Sequence, residues 1–402
     1  MIARWLLDLV RCPSCVAEVG GDAPRLDLYV ERLHCPRCKR TYPLKEGFVD
    51  LMPQEEGDQG HTSRYVADMA EFAEHLDYRD VGPPLLGAEV RNRLLRQMLR
   101  LHPRDWVLEL GCGNGKFLVW NTPLVGKAVG IDPAPLFADE ALAEVGLARA
   151  DARRLPFPPA SFSKAWSIDV LEHLTRPDIG RYLDEAHRVL MPGGLLFVFS
   201  NTRERGRFDL FVSGARRLAN GLARLGLVDP RRDLLRKSDH VKALETWPDV
   251  EAAAHEAGFE IVRVVFWNGV FQSTIDNVLM RLAERAVVAG RQVHRRLPGR
   301  RGARPASPSP AAAAPSADLL SRDAIAARTA MRGRLARGGP AARVLGWLTT
   351  LMWLDIRLFG RFRTGPYFVL LRKPRTSPPP SPAGVQFGKR YYGKGRWWDR
   401  MT

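Results

Sequence analysis

Four of the five cysteines form two closely spaced pairs near the start of the chain, Cys12 with Cys15 and Cys35 with Cys38. Each pair is a Cys-x2-Cys turn, and 19 residues separate the two turns. A turn of this kind directs two thiolates towards one point, and four thiolates are a tetrahedral ligand set for zinc. Disulfides are disfavoured in a cytoplasmic protein, which is what we expect here. These residues therefore predict a structural Zn2+ site with no open coordination position.

The fifth cysteine belongs to a glycine-rich loop, Gly111–Gly115 (GCGNG), which follows an apolar segment. Glycines permit a backbone turn that a ligand approaches closely, and nucleosides bind at the strand ends of parallel sheets. The Gly-x-Gly-x-Gly spacing differs from the Gly-x-Gly-x-x-Gly spacing of dinucleotide sites, which argues against NAD. Glu109 precedes the turn and is suited to pair with a cationic group of the ligand.

Three further carboxylates follow the next apolar segments of the chain. Asp132 lies 19 positions beyond the second glycine of the loop, and this distance suits an acceptor for ribose hydroxyls. Asp151 and Asp169 follow the next two segments, and Asp169 precedes a Leu-Glu-His run. Each acid alone is ordinary for a solvated strand end. Their joint order along the chain predicts one site for an adenosine-type ligand.

Apolar segments alternate with helical patterns in the order needed to bring these side chains to one edge of a sheet. This alternation is typical of a parallel, doubly wound sheet. Helices are predicted at Ile179–Leu190 and Val250–Ala257, among others. We therefore expect an α/β fold with a doubly wound, seven-stranded Rossmann-like sheet. The predicted strands are Trp106–Leu110, Ala128–Ile131, Ala148–Ala150, Ala165–Ile168, Leu195–Phe199, Phe259–Trp267 and Tyr367–Arg372.

In their order and spacing, the motifs between residues 90 and 201 resemble the class I S-adenosylmethionine-dependent methyltransferases, the group that includes quinone- and biotin-pathway enzymes. The resemblance implies a methyltransferase with S-adenosylmethionine as cofactor. It implies that Glu109 and the loop backbone hold the methionine end, that Asp132 binds both ribose hydroxyls, and that Asp151 contacts the adenine amino group. Asp169 would then lie beside the sulfonium. The implied cofactor-binding residues are Glu109, Gly111, Cys112, Gly113, Gly115, Asp132, Asp151, Ala152, Asp169 and Leu171.

Two histidines are candidate catalytic residues. Methyl transfer from a sulfonium depends mainly on positioning, and a base is needed only when the acceptor must lose a proton. His173 is similar to a histidine often seen in this family, and His240 lies after the fifth predicted strand, where the family's substrate loops sit. A surface or capping role is the simpler alternative for His240. A non-catalytic module that only binds the cofactor is disfavoured by the intact set of acids.

The cysteine region resembles a second family, the zinc-ribbon proteins that act as activator subunits of tRNA and protein methyltransferases. The two cysteine turns, Tyr42-Pro43 and the Gly47–Pro53 segment carry this resemblance. A ribbon followed by a class I domain also resembles bacterial 23S rRNA guanine-N1 methyltransferases, but not beyond residue 200. An rRNA or tRNA base methyltransferase is therefore the alternative to an enzyme that acts on a small or lipid-linked acceptor.

The net charge of +17 is concentrated in two stretches. Residues 281–345 carry 14 Lys and Arg against 3 Asp and Glu, and residues 371–402 carry 8 against 1, so the remaining chain is close to neutral. These stretches suit RNA or acidic lipid, and a solvated Arg-rich linker is equally open. The near-neutral core argues against RNA, because RNA enzymes usually carry basic residues around the active cleft.

An uncharged stretch, residues 344–354, is too short to span a bilayer, which takes ~20 apolar residues. In this stretch and its continuation, Trp347, Leu351, Leu354 and Leu358 recur at helical spacing between arginines. This pattern is typical of an interfacial helix, and a core helix that covers the sheet is the alternative. The first ten residues do not read as a signal peptide. We expect a cytoplasmic protein, with peripheral contact at the inner face of the membrane as a further hypothesis.

These observations predict five parts of the chain. They are a zinc ribbon (1–53), a methyltransferase core (64–269), an insertion that is partly helical and partly disordered (270–363), the last strand of the core (364–374) and a disordered basic tail (375–402).

Overall fold

The computed structural model describes residues 2–19, 22–52, 81–228, 240–286, 335 and 338–375. Eleven strands make up one mixed sheet. The strands are β1 (Asp27–Tyr29), β2 (Arg32–His34), β3 (Thr41–Lys45), β4 (Phe48–Asp50), β5 (Trp106–Leu110), β6 (Lys127–Asp132), β7 (Gly146–Arg149), β8 (Phe162–Ile168), β9 (Leu190–Asn201), β10 (Glu260–Phe266) and β11 (Pro366–Arg372). Their order across the sheet is β1-β2-β3-β4-β7-β6-β5-β8-β9-β11-β10.

The strands β5 to β11 form the doubly wound part of the sheet, and all seven predicted strands are present. Strands β5 to β9 pair in parallel, whereas β11 runs antiparallel to both of its neighbours, β9 and β10. Successive residues of β5 face opposite layers, since Val107 lies in one apolar core and Leu108 in the other. The carboxyl ends of β5, β6, β7 and β8 therefore share one edge, as the sequence predicts.

The prediction of a seven-stranded sheet is wrong in its extent. Residues 2–52, which we call the cysteine module, contribute β1 to β4, and β4 pairs in parallel with β7 through Val49 opposite Ala148. The apolar residues of the module, including Leu6, Leu33 and Leu51, are fully buried and continue the core on one face of the sheet. The module thus extends the central sheet because β7 would otherwise present unpaired backbone groups.

Helices cover both faces of the sheet, and their apolar sides supply the two cores. Pro177 and Pro248 stand in the first turns of two helices, where proline is favoured, and the Asp249 carboxylate accepts from the Thr246 amide at 2.8 Å. The helices are α1 (Arg4–Leu9), α2 (Pro13–Val19), α3 (Leu86–Leu99), α4 (Lys116–Asn121), α5 (Asp139–Glu144), α6 (Arg176–Val189), α7 (Asp209–Arg224), α8 (Trp247–Glu256), α9 (Val270–Thr274) and α10 (Pro340–Phe359).

The two ends of the predicted insertion are packed on the core. Met352 and Ile356 of α10 lie in the same apolar cluster as residues of α3 and the sheet. The buried Asp355 carboxylate accepts hydrogen bonds from the amides of Phe271 and Gln272, both at 2.9 Å, and so joins α10 to α9. On this side α10 covers the sheet, which was the alternative to an interfacial helix.

Other parts of α10 face solvent, because Trp347 is 63% and Leu358 53% exposed. None of the helices within the described residues has the length and apolar character needed to cross a membrane. Residues 54–62 between the predicted ribbon and core, the segment 287–334 of the insertion, where part of it was predicted to be disordered, and the basic tail from residue 376 onward lie outside the described residues.

Candidate functional site

The glycine-rich loop joins β5 to α4 and lies against two neighbouring elements. Gly111, Gly113 and Gly115 all have positive φ, a region that strains a residue with a side chain. A Cβ on Gly111 would lie 2.5 Å from Cγ2 of Val170, and one on Gly115 would lie 2.6 Å from Cβ of Ala141. The loop therefore needs glycine for its conformation and for space, and it closely approaches the segment after β8.

Asp132, the last residue of β6, is hydrogen-bonded to this loop. Its Oδ2 accepts from the Gly113 amide at 2.8 Å, and its Oδ1 accepts from the Ala134 amide at 2.9 Å. Burial raises the pKa of Asp132 to about 6, against the opposing effect of these hydrogen bonds and of His173. A carboxylate offers about four acceptor positions, so Asp132 retains capacity for hydroxyl donors of a ligand.

Glu109 lies in β5 immediately before the loop and is 1% exposed. Its Oε2 atom has no hydrogen-bond partner among the described residues. Burial raises the pKa of Glu109 well above its ordinary value, although the Trp166 indole and the Lys116 charge act in the opposite direction. A buried carboxylate oxygen without a donor is rare in folded proteins and suits a cationic group on a ligand.

Cys112 also lies in the loop, and its thiol is directed into the protein. A Cβ on Gly130 of β6 would lie 2.9 Å from the Cys112 Sγ, so the thiol packs on the sheet. The amides of Gly111 and Cys112 both donate to the carbonyl of Ile131 at 2.9 Å. These contacts fix the backbone of the loop against β6 and leave Cys112 buried.

Asp151 and Ala152 follow β7, one strand further from the loop. The Ala150 amide donates to the carbonyl of Asp132 at 3.2 Å, so Asp132 and Asp151 lie at neighbouring strand ends. The Asp151 carboxylate pairs with Arg153 at 2.7 Å, and Arg153 also pairs with Asp178 of α6 at 3.0 Å. The structure thus brings Asp151 to the predicted sheet edge, where a ligand would share its carboxylate with Arg153.

Asp169 follows β8 in the left-handed region, with a φ of 58°. Its carboxylate forms an ion pair with Arg91 of α3, whose guanidinium lies 5.1 Å from the centre of the Phe199 ring. Leu171 is buried and begins a single 3-10 turn that ends at His173. Since Val170 lies against Gly111, this turn stands next to the glycine loop.

The two candidate catalytic histidines come together with Glu172. The possible ligand atoms of Glu172, His173 and His240 all lie within 4.8 Å of one another. The two imidazole rings are 4.8 Å apart between centres, with an angle of 88° between their planes. The segment that carries His240 is held in place, because the Lys242 amide donates to the carbonyl of Glu172 at 2.9 Å.

The carboxylate of Glu172 is buried in this cluster and oriented by β9. Its Oε2 accepts from Ser200 Oγ at 2.6 Å, and its Oε1 accepts from Asn201 Nδ2 at 3.1 Å. Burial, together with the charge of Asp169, raises the pKa of Glu172 to about 7. The cluster is therefore a polar site built at the end of β8 beside the glycine loop.

The four paired cysteines surround a single point in the cysteine module. The Sγ atoms of Cys12 and Cys38 are 3.5 Å apart, and those of Cys15 and Cys35 are 3.6 Å apart. Thiolates that share a zinc ion at about 2.3 Å lie about 3.8 Å apart, whereas a disulfide requires about 2.05 Å. Burial raises the pKa of the Cys15 thiol, and a metal ion reverses this effect because it coordinates thiolates.

Sequence reasoning missed two residues of this site. Arg91 is 78 positions from its partner Asp169, and no local motif marks it. Glu172 stands within the Leu-Glu-His run but received no role of its own. Its place next to His173, four residues after the predicted strand Ala165–Ile168 ends, was the signal that could have identified it.

Comparison with known proteins identifies the central region. Residues 108–198 match a family model described as a methyltransferase domain. The 27-O-demethylrifamycin SV methyltransferase of Amycolatopsis mediterranei is 29% identical over 161 residues, which cover 38% of this chain and 54% of that protein. A ubiquinone biosynthesis O-methyltransferase of a Bradyrhizobium strain is 32% identical over 124 residues, which cover 29% of this chain and 48% of the relative.

Among solved structures, phosphoethanolamine N-methyltransferase 2 of Haemonchus contortus with S-adenosyl-L-methionine aligns at a TM-score of 0.42 and 16% identity. That alignment covers 76% of this chain and 57% of the other. The chain spans about half the length of the curated relatives it matches.

Proposed function

We propose that this protein is an S-adenosylmethionine-dependent methyltransferase that acts on an oxygen atom of a small or lipid-linked acceptor. One observation carries the proposal: the glycine loop after β5 is hydrogen-bonded to Asp132 at the end of β6, next to the buried Glu109. The match of residues 108–198 to a methyltransferase domain supports it independently.

The donor side of the site fits the cofactor group by group. The cofactor carries an ammonium, and the Oε2 atom of Glu109 is buried without a donor in the part of the chain that the structure describes. Its ribose carries two hydroxyls, and Asp132 has acceptor capacity beyond its two backbone hydrogen bonds. The loop at Gly111 leaves no room for a side chain, because Val170 packs against it. The sulfonium supplies the activated methyl group, and these residues hold and orient the cofactor that carries it.

The proposal of an oxygen acceptor rests on the names of the relatives and on the polar cluster that contains His173 and His240. Two relatives, the rifamycin and ubiquinone-pathway enzymes, are named for methylation at oxygen. An oxygen acceptor must lose a proton, and the imidazoles of His173 and His240, whose centres are 4.8 Å apart, are suited to accept it. We assign these two histidines to the acceptor side and Asp169 with Leu171 to the boundary between donor and acceptor.

The cysteine module is proposed to bind a structural zinc ion through Cys12, Cys15, Cys35 and Cys38. The spacing of the sulfur atoms supports a tetrahedral site, and four thiolates leave no position for a substrate. The module then acts as an internal support for the sheet and takes no part in the chemical step.

A lipid-linked acceptor is supported by the outer side of α10. Val344, Trp347 and Leu358 are more than half exposed, and the arginines Arg343 and Arg357 beside them are exposed as well. Apolar side chains flanked by arginines suit the interface of an anionic bilayer. Flotation with anionic vesicles tests this part: loss of flotation in a Trp347→Ser, Leu358→Ser variant is expected, and equal flotation contradicts it. RNA remains the alternative acceptor.

Calorimetric titration with S-adenosylmethionine tests the core of the proposal. The protein is expected to bind the cofactor, and Asp132→Asn is expected to weaken binding while Asp209→Asn on α7 does not. The second step is incubation with cofactor labelled in the methyl group and with cell extract fractionated into lipid, small-molecule, RNA and protein pools. Label in the first two pools supports the proposal, and label in RNA alone replaces it with the alternative.

A further inference from the structure

We infer that Glu172, His173 and His240 hold a divalent metal ion on the acceptor side of the site. The role of the ion in methyl transfer rests on the proposed function, whereas its binding does not. Two imidazoles and one carboxylate are a known ligand set for Zn2+ and other first-row divalent ions. Three protein ligands leave at least one coordination position open, as in catalytic metal sites.

The distances within the cluster are close to those of a metal site. The candidate ligand atoms lie within 4.8 Å of one another. Ligands bound at about 2.0–2.2 Å to one ion are separated by about 3–4.3 Å, depending on the angle between them. Small side-chain rotations therefore bring the three groups to a common ion without movement of the backbone.

The backbone around these ligands is tied together. Glu172 and His173 belong to one 3-10 turn, and the Lys242 amide joins the His240 segment to the carbonyl of Glu172. The Arg203 guanidinium donates to the carbonyl of Val241 at 3.0 Å and holds the same segment from β9's end. A site that is already assembled pays little conformational entropy when it binds an ion.

Hydrogen bonds orient the carboxylate ligand. Ser200 and Asn201 each donate to one oxygen of Glu172, and both donors are neutral groups. Partners of this kind are typical of the shell behind metal ligands, where they fix orientation without competing for charge. Glu172 is only 2% exposed, so a dication compensates for negative charge that is buried here.

The position of the cluster gives the ion a role in the chemistry. Val170, two residues before Glu172, lies against Gly111 of the donor loop. An acceptor hydroxyl bound to the ion has a lowered pKa and releases its proton to water. An oxygen lone pair then forms a bond to the methyl carbon, the carbon–sulfur bond breaks, and its electron pair returns to sulfur. The sulfonium becomes a neutral thioether, and the charges balance.

Cobalt binding tests this site directly. Protein loaded with a single equivalent of Zn2+ per chain, which the four thiolates bind first, is titrated with Co2+ and followed by calorimetry and visible absorption. We expect one further equivalent of Co2+ to bind without the intense thiolate-to-cobalt absorption that a cysteine site produces. His240→Ala and His173→Ala are expected to weaken this binding by more than about 100-fold, because changing a residue that merely orients a ligand already costs about 10–100-fold.

Two further variants keep the test decisive. His255→Ala removes an exposed histidine on α8 and is expected to bind Co2+ like the parent. His240→Asp retains a ligand atom and is expected to recover binding to within about tenfold of the parent. The inference is overturned if the zinc-loaded parent binds no further Co2+, or if His240→Ala binds it equally well.

Cofactor binding separates this inference from the proposed function. His240→Ala is expected to bind S-adenosylmethionine like the parent, because His240 does not act on the donor residues. Methylation that survives a chelator, with the cysteine-bound zinc still in place, overturns the metal's role and leaves the histidines as bases. A parent that binds Co2+ but not the cofactor overturns the proposed function alone.

Discussion

The amide of Leu51 donates a hydrogen bond to the carbonyl of Arg149 at 2.8 Å, and so ties the cysteine module to the strand that leads to Asp151. The Asp50 carboxylate adds an ion pair with the Arg149 guanidinium at 3.2 Å. The same guanidinium group donates through Nε to the carbonyl of Pro133, directly after Asp132. The module therefore stabilises the ends of β6 and β7, which carry Asp132 and Asp151, the two acids predicted to contact the adenosine part of the cofactor.

Loss of the proposed zinc ion from the cysteine module should weaken cofactor binding at a distance. Cys38→Ser is expected to release zinc and reduce the affinity for S-adenosylmethionine by about tenfold, or about 1.4 kcal/mol, because β4 no longer holds β7 in place. Asp50→Asn should produce a smaller loss in the same direction with zinc retained. Calorimetry and zinc analysis on both variants, with Asp27→Asn on the exposed β1 as control, check this. Unchanged affinity in a zinc-free variant would show that the brace is not needed.

Cofactor binding should depend on pH through Asp132. Hydroxyl donors favour the ionised carboxylate, so bound cofactor lowers a pKa that stands at about 6 in the free protein. The contribution of Asp132 to affinity then falls as the pH drops through 6, by up to about tenfold per pH unit. Asp132→Asn should bind more weakly and lose the part of the pH dependence that is centred near pH 6. Calorimetric titrations with S-adenosylmethionine between pH 5 and 8 test this expectation. An affinity of the parent that does not change with pH contradicts it.

Glu109→Gln should separate stability from binding. The folded protein keeps the Glu109 proton to a higher pH than the unfolded chain, whose glutamate has a pKa of about 4.3. Above that pH the unfolded chain holds fewer protons, so Glu109 lowers stability increasingly as the pH rises. Glutamine has no proton to lose, so the variant should melt at the same temperature as the parent or higher at pH 8.

The same variant should bind S-adenosylmethionine at least about tenfold more weakly, because an amide cannot pair with the ammonium as a carboxylate does. Glu251→Gln on α8 serves as the matched substitution and should change neither property. A Glu109→Gln variant that melts earlier yet binds normally would mean that the carboxyl group serves the fold and not the ligand.

Gly111→Ala should destabilise the fold by about 2–4 kcal/mol, from the left-handed backbone and the contact with Val170. Adding Val170→Ala should recover only part of the loss, because it relieves the contact and not the backbone strain. Gly180→Ala in α6, where a Cβ meets nothing within 4 Å, should be neutral or stabilising by up to about 1 kcal/mol. Chemical denaturation of the parent, these three variants and Val170→Ala alone measures these differences; independent, additive effects at positions 111 and 170 would argue against the contact.

Local sequence patterns were sufficient to predict the strands and the order in which the acids follow them. The predicted strand Trp106–Leu110 matches β5 residue for residue, because a short apolar run ended by glycines has few other interpretations. The cysteine turns were readable for a similar reason, since ligand spacing within a turn is local. The glycine loop and Asp132 follow from one strand–turn–helix unit and its neighbour.

Contacts between segments far apart in the chain could not be predicted from the sequence. Nothing in the cysteine module indicates that β4 pairs with β7, since many apolar strands satisfy the same backbone groups. The Arg91–Asp169 ion pair likewise depends on how α3 lies across the sheet. In α10 the apolar residues cover most of the helix surface, so periodicity did not show that Met352 faces the core while Trp347 faces outward.

The parallel pairing of β4 with β7 also has a consequence for assembly. A separate subunit at this position would dissociate on dilution, whereas a tethered strand rebinds from a high effective concentration. The methyltransferase domain and its support are consequently made in equal amounts and need no encounter between two proteins. Deleting residues 2–52 would bare the backbone of Gly146–Arg149, and such a strand invites self-association.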